Sequence, residues 1–144
     1  MGGGARLLFG IGMVSMLIGV SSSVFAAEQP LDVDAVTAAE NWLAWVDVKD
    51  YSRSWDESAS YFRQTMTKRK WLDGLEAFRT PLGTLQSRRR VSARPVAQVP
   101  GAPEGQYTVV EYVTVYRKKP SAKEMITLVR EKDGAWRTAG YSVQ

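Results

Sequence analysis

QYTVVEYVTVYR, residues 106–117, decides the architecture of this chain. Tyr107, Val109, Val113 and Val115 fall on one alternation set and Val110, Tyr112 and Tyr116 on the other, with no Gly or Pro to interrupt them. β-Branched and aromatic residues at that density read as a strand. Apolar side chains on both faces predict a central strand, with a neighbour on either side and cover on both faces.

Upstream, Leu85 to Val96 is a second strand. Pro95 cannot donate a ladder hydrogen bond, and Arg88-Arg89-Arg90 suit solvent, so this strand belongs at an edge or is bulged at Pro95. The loop PGAPEG, residues 100–105, joins the two. Downstream, Met125 to Lys132 and Trp136 to Val143 form a last pair across Asp133-Gly134, a dipeptide that favours a two-residue type I′ turn. Counting out from that turn sets Glu131 against Trp136, Val129 against Thr138, Leu128 against Ala139 and Ile126 against Tyr141. Ile126, Leu128, Ala139, Tyr141 and Val143 then share the face that meets the helices, and Thr127, Val129, Thr138 and Trp136 share the less apolar one.

Before Gly83 the period is 3.6 rather than two. Asp32 or Asp34 caps a helix whose stripe is Val36, Ala39, Leu43 and Val46, ending near Asp47. Tyr51, Trp55, Ala59, Phe62 and Met66 mark a second helix from Tyr51 to Met66. Thr67 caps a third, carrying Trp71, Leu72, Leu75 and Phe78 and stopped by Pro81 and Gly83. The predicted class is α+β: three N-terminal helices packed on a curved four-stranded antiparallel sheet, as a single domain over residues 27–144.

Residues 1–26 read as an export signal. Arg6 gives a positive n-region, Leu7 to Val20 is apolar, and Val24-Phe25-Ala26 precedes Ala27 in the small-residue pattern of a cleavage site. The mature protein is then expected in the periplasm or outside the cell, with no membrane anchor left after cleavage. The sequence has no Cys and no His. That excludes imidazole-based triads, thiol chemistry, disulfides and a lipoprotein anchor, and it leaves no expectation of a metal or other cofactor. The net charge of +4 falls by one without Arg6. Lys68-Arg69-Lys70, Arg88-Arg89-Arg90 and Arg117-Lys118-Lys119 concentrate the positive charge, which reads either as solvated surface or as docking to envelope polyanions; nucleic acid is not the expected partner.

Helices followed by an antiparallel meander resemble the nuclear-transport-factor-2-like (NTF2-like) and cystatin-like architectures. WLAWVD at 42–47, YSRSW at 51–55, RTPLG at 79–83 with Arg88, PGAPEGQY at 100–107, Glu124 and DGAWRTAGY at 133–141 resemble more closely the bacterial exported family known as domain of unknown function 4019. The resemblance implies the fold and no activity.

Glu111 alternates with Val109 and Val113. Facing the helices, it would be a carboxylate in apolar surroundings with a raised pKa, able to act as a general base; facing away, it is a surface residue. Arg79 and Arg88 could clamp an anion, or Arg79 could cap its helix while Arg88 pairs with Glu111 or Glu124. Tyr112 and Tyr141 would assist such a site, and Trp136 would offer a ring for stacking. The leading expectation is a non-catalytic module that binds a protein or small ligand, or forms a homodimer, through a sheet face. The alternative is a small enzyme with Glu111 in a conical pocket.

Overall fold

The computed structural model describes residues 30–144. The expected export signal lies outside the described residues. Four α-helices come first: α1 (Val33–Asp47), α2 (Tyr51–Asp56), α3 (Ser60–Thr65) and α4 (Lys68–Arg79). A 3-10 turn, Thr80–Leu82, leads into strands β1 (Leu85–Val96), β2 (Tyr107–Tyr116), β3 (Lys119–Arg130) and β4 (Trp136–Val143). The strands form one antiparallel sheet in chain order, so β1 is an edge and β2 is interior.

Capping fixes the helix starts. Asp32 accepts from the backbone N–H groups of Asp34 and Ala35 ahead of α1, and Asp50 accepts from Arg53 ahead of α2. The expected helix 51–66 is two helices. At the break, Ala59 is extended and its N–H donates to the Thr138 carbonyl of β4 at 2.8 Å. Beside it, Ser58 is buried, donates to Ser54 O at 2.6 Å and accepts from the Trp42 indole at 3.2 Å. Bonds to the sheet and to α1 replace the helical ladder there.

β3 begins six residues earlier than the sequence suggests, directly after a tight turn at Arg117-Lys118. Pro120 hides this start, because it sits where the β2–β3 register slips between Thr114 and Tyr116. The β3–β4 turn differs too. Gly134 N–H donates to Glu131 O, Glu131 N–H donates to Ala135 O, and Gly134 has φ +83°, so the loop has three residues, Lys132, Asp133 and Gly134. The extra residue puts Leu128 against Thr138 and Arg130 against Trp136. A bulge beyond Thr127 then restores Ile126 opposite Tyr141. Thr138 and Trp136 therefore lie on the helix side, the reverse of the sequence expectation, since a slip of one residue exchanges faces.

Helix-side residues of the sheet are Val110, Tyr112 and Tyr116 of β2, Ala122, Glu124, Ile126 and Leu128 of β3, and Thr138 and Tyr141 of β4, all buried. Against them pack Trp42, Leu43 and Val46 of α1, Phe62 of α3, and Trp71 and Leu75 of α4, none more than 2% exposed. Trp71 stands edge-on to Phe62 with ring centroids 5.1 Å apart, and Trp42 edge-on to Tyr141 at 5.2 Å. The interior between helices and sheet is filled by these rings. The opposite face of β2 is covered at one end only: Tyr107 and Val109 are buried there, whereas Val113 is 40% exposed, so the two-sided cover expected for this strand does not run its whole length.

Candidate functional site

Two places gather the chemistry-bearing residues. The first is a buried ionic cluster where the end of α1, the end of α4, β1 and β3 converge. Arg79, the last residue of α4, turns into the core instead of capping its own helix. It donates to Asp47 Oδ1 at 2.7 Å, to the Tyr116 hydroxyl at 2.7 Å and to the Tyr141 hydroxyl at 3.0 Å. Arg88, on the helix side of β1, donates to Asp47 Oδ2 at 2.6 Å and Oδ1 at 3.0 Å. Its Nε and Nη2 reach Glu124 Oε2 at 3.0 Å and Oε1 at 3.2 Å. Two guanidinium groups and two carboxylates make the cluster neutral, and every carboxylate oxygen accepts at least one charge-assisted bond.

Its electrostatics follow from burial. Desolvation opposes the charge on Arg88, but hydrogen bonds to Asp47 and the Glu124 charge outweigh it, so its pKa lies above the ordinary arginine value. Arg79 is raised in the same manner, burial being overcome by Tyr141, Glu124 and Asp47. Burial lifts Glu124 above the usual glutamate value against the pull of Arg88 and Arg79. Burial also lifts Tyr141 far above the ordinary phenol and pushes Tyr112 up to about 12.

Arg79, Arg88 and Tyr141 thus meet, as the anion-clamp reading requires, but their donors are already taken by Asp47 and Glu124. Tyr112 is opposite Glu124 in the ladder, 2% exposed, and its hydroxyl has no hydrogen-bond partner among the described residues. Glu111 is not in this group. It lies on the face of β2 turned away from the helices, bonded to Arg94 at 3.0 Å and to Lys123 at 3.3 Å. The carboxylate enclosed by the fold is Glu124, at 0% exposure. Asp47 escaped the sequence reading, although a signal existed: an acidic residue ending a helix opposes the macrodipole and needs a cation nearby.

The second place is a cleft of about 650 Å³ at one end of the sheet, between the start of α1 and the strand ends. Pro30, Asp32, Pro95, Tyr107, Arg130 and Trp136 line it. Trp136 is half-buried against the core and shows its remaining surface to the cleft. Arg130 Nε donates to Gly134 O at 3.3 Å, and its guanidinium makes no ion pair among the described residues. The wall beside β2 is the 97–106 loop, pinned by the Tyr107 hydroxyl donating to Pro103 O at 2.6 Å and the Tyr61 hydroxyl donating to Gly101 O.

Among the described residues no group of three or more Asp or Glu is placed to hold a metal ion, and no helix is long and apolar enough to cross a membrane. The family model described as "Protein of unknown function (DUF4019)" matches residues 38–141, from within α1 to the tyrosine of the ionic cluster in β4. No curated protein and no solved structure matches the chain.

Proposed function

This chain belongs to the family of proteins of unknown function DUF4019, whose description names no activity, and we propose that it is an exported, non-catalytic binding module that takes a small amphipathic anion in the cleft at the strand ends. The observation that carries this reading is the pairing of an aromatic ring, Trp136, with a cation, Arg130, that makes no ion pair among the described residues, on the wall of one open cleft. Pockets for small molecules combine apolar and aromatic walls with a few polar anchors in this way. Beside the ionic cluster, Trp42, Trp71, Phe62 and Tyr116 are all buried in the interior.

A non-catalytic role is supported by the state of the carboxylates. Glu124 is sealed and hydrogen-bonded through both oxygens, and Glu111 is held between two cations on the far face. A general base must reach a substrate proton within hydrogen-bonding distance, and neither is free to do so. Export to the periplasm or beyond rests on the apolar run Leu7 to Val20 and the Ala26-Ala27 junction.

The test uses 1-anilinonaphthalene-8-sulfonate, an apolar ring system bearing an anion. Its fluorescence should rise on mixing with the folded protein, and the rise should fall by at least about fivefold in Trp136→Ala and Arg130→Gln, each replacing an anchor worth on the order of 1 kcal/mol or more. An unchanged signal in both variants would sink the reading.

A further inference from the structure

We propose that the exposed part of the sheet face turned away from the helices docks an acidic protein partner. The register sets Arg89, Val113 and Lys123 side by side across β1, β2 and β3. Neighbouring strands lie about 4.8 Å apart, so the exposed valine has a cation on each side in a single row. In the next row Glu111 bonds both Arg94 and Lys123, which absorbs its charge. Arg89 makes no ion pair among the described residues. The exposed turn residues Arg117 and Lys118 extend the positive rim at one end of the same strands.

The composition of this face selects among occupants. An apolar centre rimmed by charge is the layout of a protein-binding patch. A second copy related by a twofold axis would bring the same surplus of cations against itself, which costs association energy. A lipid surface would be entered by Trp, Phe or Leu side chains, but the exposed apolar group in the row is Val113, a short side chain on a flat strand. A protein surface carrying carboxylates around an apolar centre meets the row with opposite charge at each position.

The experiment titrates the isotopically labelled full chain with poly-L-glutamate, with poly-L-lysine as control, and follows backbone amide shifts. Shifts should centre on Arg89, Val113 and Lys123, diminish with added salt, and be absent with poly-L-lysine. Arg89→Glu combined with Lys123→Gln, both on exposed side chains, should weaken the apparent affinity by about tenfold or more. Neither residue lines the cleft, so the anilinonaphthalene signal should be unchanged in this variant. Wild-type shifts confined to other residues would overturn the proposal. So would binding to phosphatidylglycerol vesicles without response to poly-L-glutamate, or a mass that doubles with protein concentration as this face becomes protected.

Discussion

Arg88 grips Asp47 through two guanidinium nitrogens, at 2.6 and 3.0 Å, and so ties the last turn of α1 to the edge strand β1. With the exposed Arg90–Glu40 pair at 3.7 Å, this fork joins β1 to α1. Both side chains are mostly buried, at 14% and 17% exposure. Removing Arg88 leaves two buried carboxylates, Asp47 and Glu124, sharing the one cation Arg79 in a low-dielectric setting, a loss of about 3–5 kcal/mol. Arg88→Met should lower the urea midpoint by that equivalent. Arg88→Lys should recover little of it, because an ammonium cannot serve both carboxylates in a planar fork. A double-mutant cycle with Asp47→Asn should give a coupling above about 1 kcal/mol; additive losses would show that the fork contributes packing alone.

The tyrosines give the pH limit. Burial raises Tyr112 to about 12 and Tyr141 further, and it also raises Tyr51 and Tyr107. The unfolded chain releases these protons near pH 10, so the native state holds them more tightly than the unfolded one. Their contribution to stability is complete below about pH 10 and is lost as pH climbs toward 12. Tyrosinate absorbance should therefore include a late part, above about pH 10, that coincides with loss of the circular dichroism signal. A single smooth phenol titration near pH 10, with the fold intact, would contradict the enclosure of Tyr112 and Tyr141.

Much of this arrangement is legible in the sequence. The bounds of β1 agree because Gly83, the arginine run and Pro95 are local signals for an exposed edge. The break between α2 and α3 was not legible, because Tyr51, Trp55, Ala59, Phe62 and Met66 keep helical spacing straight through it. What interrupts the helix is the bond from Ala59 to Thr138, a tertiary contact with no trace in the local period. The ionic cluster was half legible: Glu124 was one of two partners named for Arg88, but Asp47 stands 41 positions from that arginine, and no spacing rule links them. Trp136 and Thr138 change face through a single loop residue, since Asp-Gly serves a three-residue turn as well as a two-residue one, whereas Tyr141 lies opposite Ile126 as the sequence predicts.

That turn carries its own titration. Arg137 donates to Asp133 Oδ1 at 2.9 Å and Oδ2 at 2.7 Å, and Ala135 N–H donates to Oδ1 at 3.0 Å. These bonds, the Arg137 side chain first, hold the Asp133 carboxyl down at about 2. A depressed carboxylate stabilises the hairpin above the unfolded value of about 3.9, and that contribution fades as pH falls toward 2. Carboxyl carbon shifts should put the Asp133 midpoint near 2, and Arg137→Gln should return it toward the ordinary aspartate value. A wild-type midpoint close to 4 would show that the two-nitrogen contact does not persist in solution.

Gly83 and Gly134 both have positive φ, at +76° and +83°, but Gly83, with ψ −167°, lies in a region essentially restricted to glycine, and the two should respond differently to alanine. Around Gly134 a Cβ would meet nothing within 4 Å, so Gly134→Ala carries the backbone penalty alone, about 1 kcal/mol. At Gly83 the same Cβ would stand 3.2 Å from Arg117 Cβ and 3.5 Å from the Lys118 nitrogen. Those atoms belong to the β2–β3 turn, which is fixed there by Arg117 N–H donating to Thr84 O and Lys118 N–H donating to Leu82 O, both at 2.9 Å. Relief would require Arg117 to give by a few tenths of an ångström, which strains both bonds, each worth about 1 kcal/mol. Gly83→Ala should therefore cost about 2–3 kcal/mol in urea denaturation, clearly more than Gly134→Ala. Equal losses at the two sites would mean that the turns are not in contact.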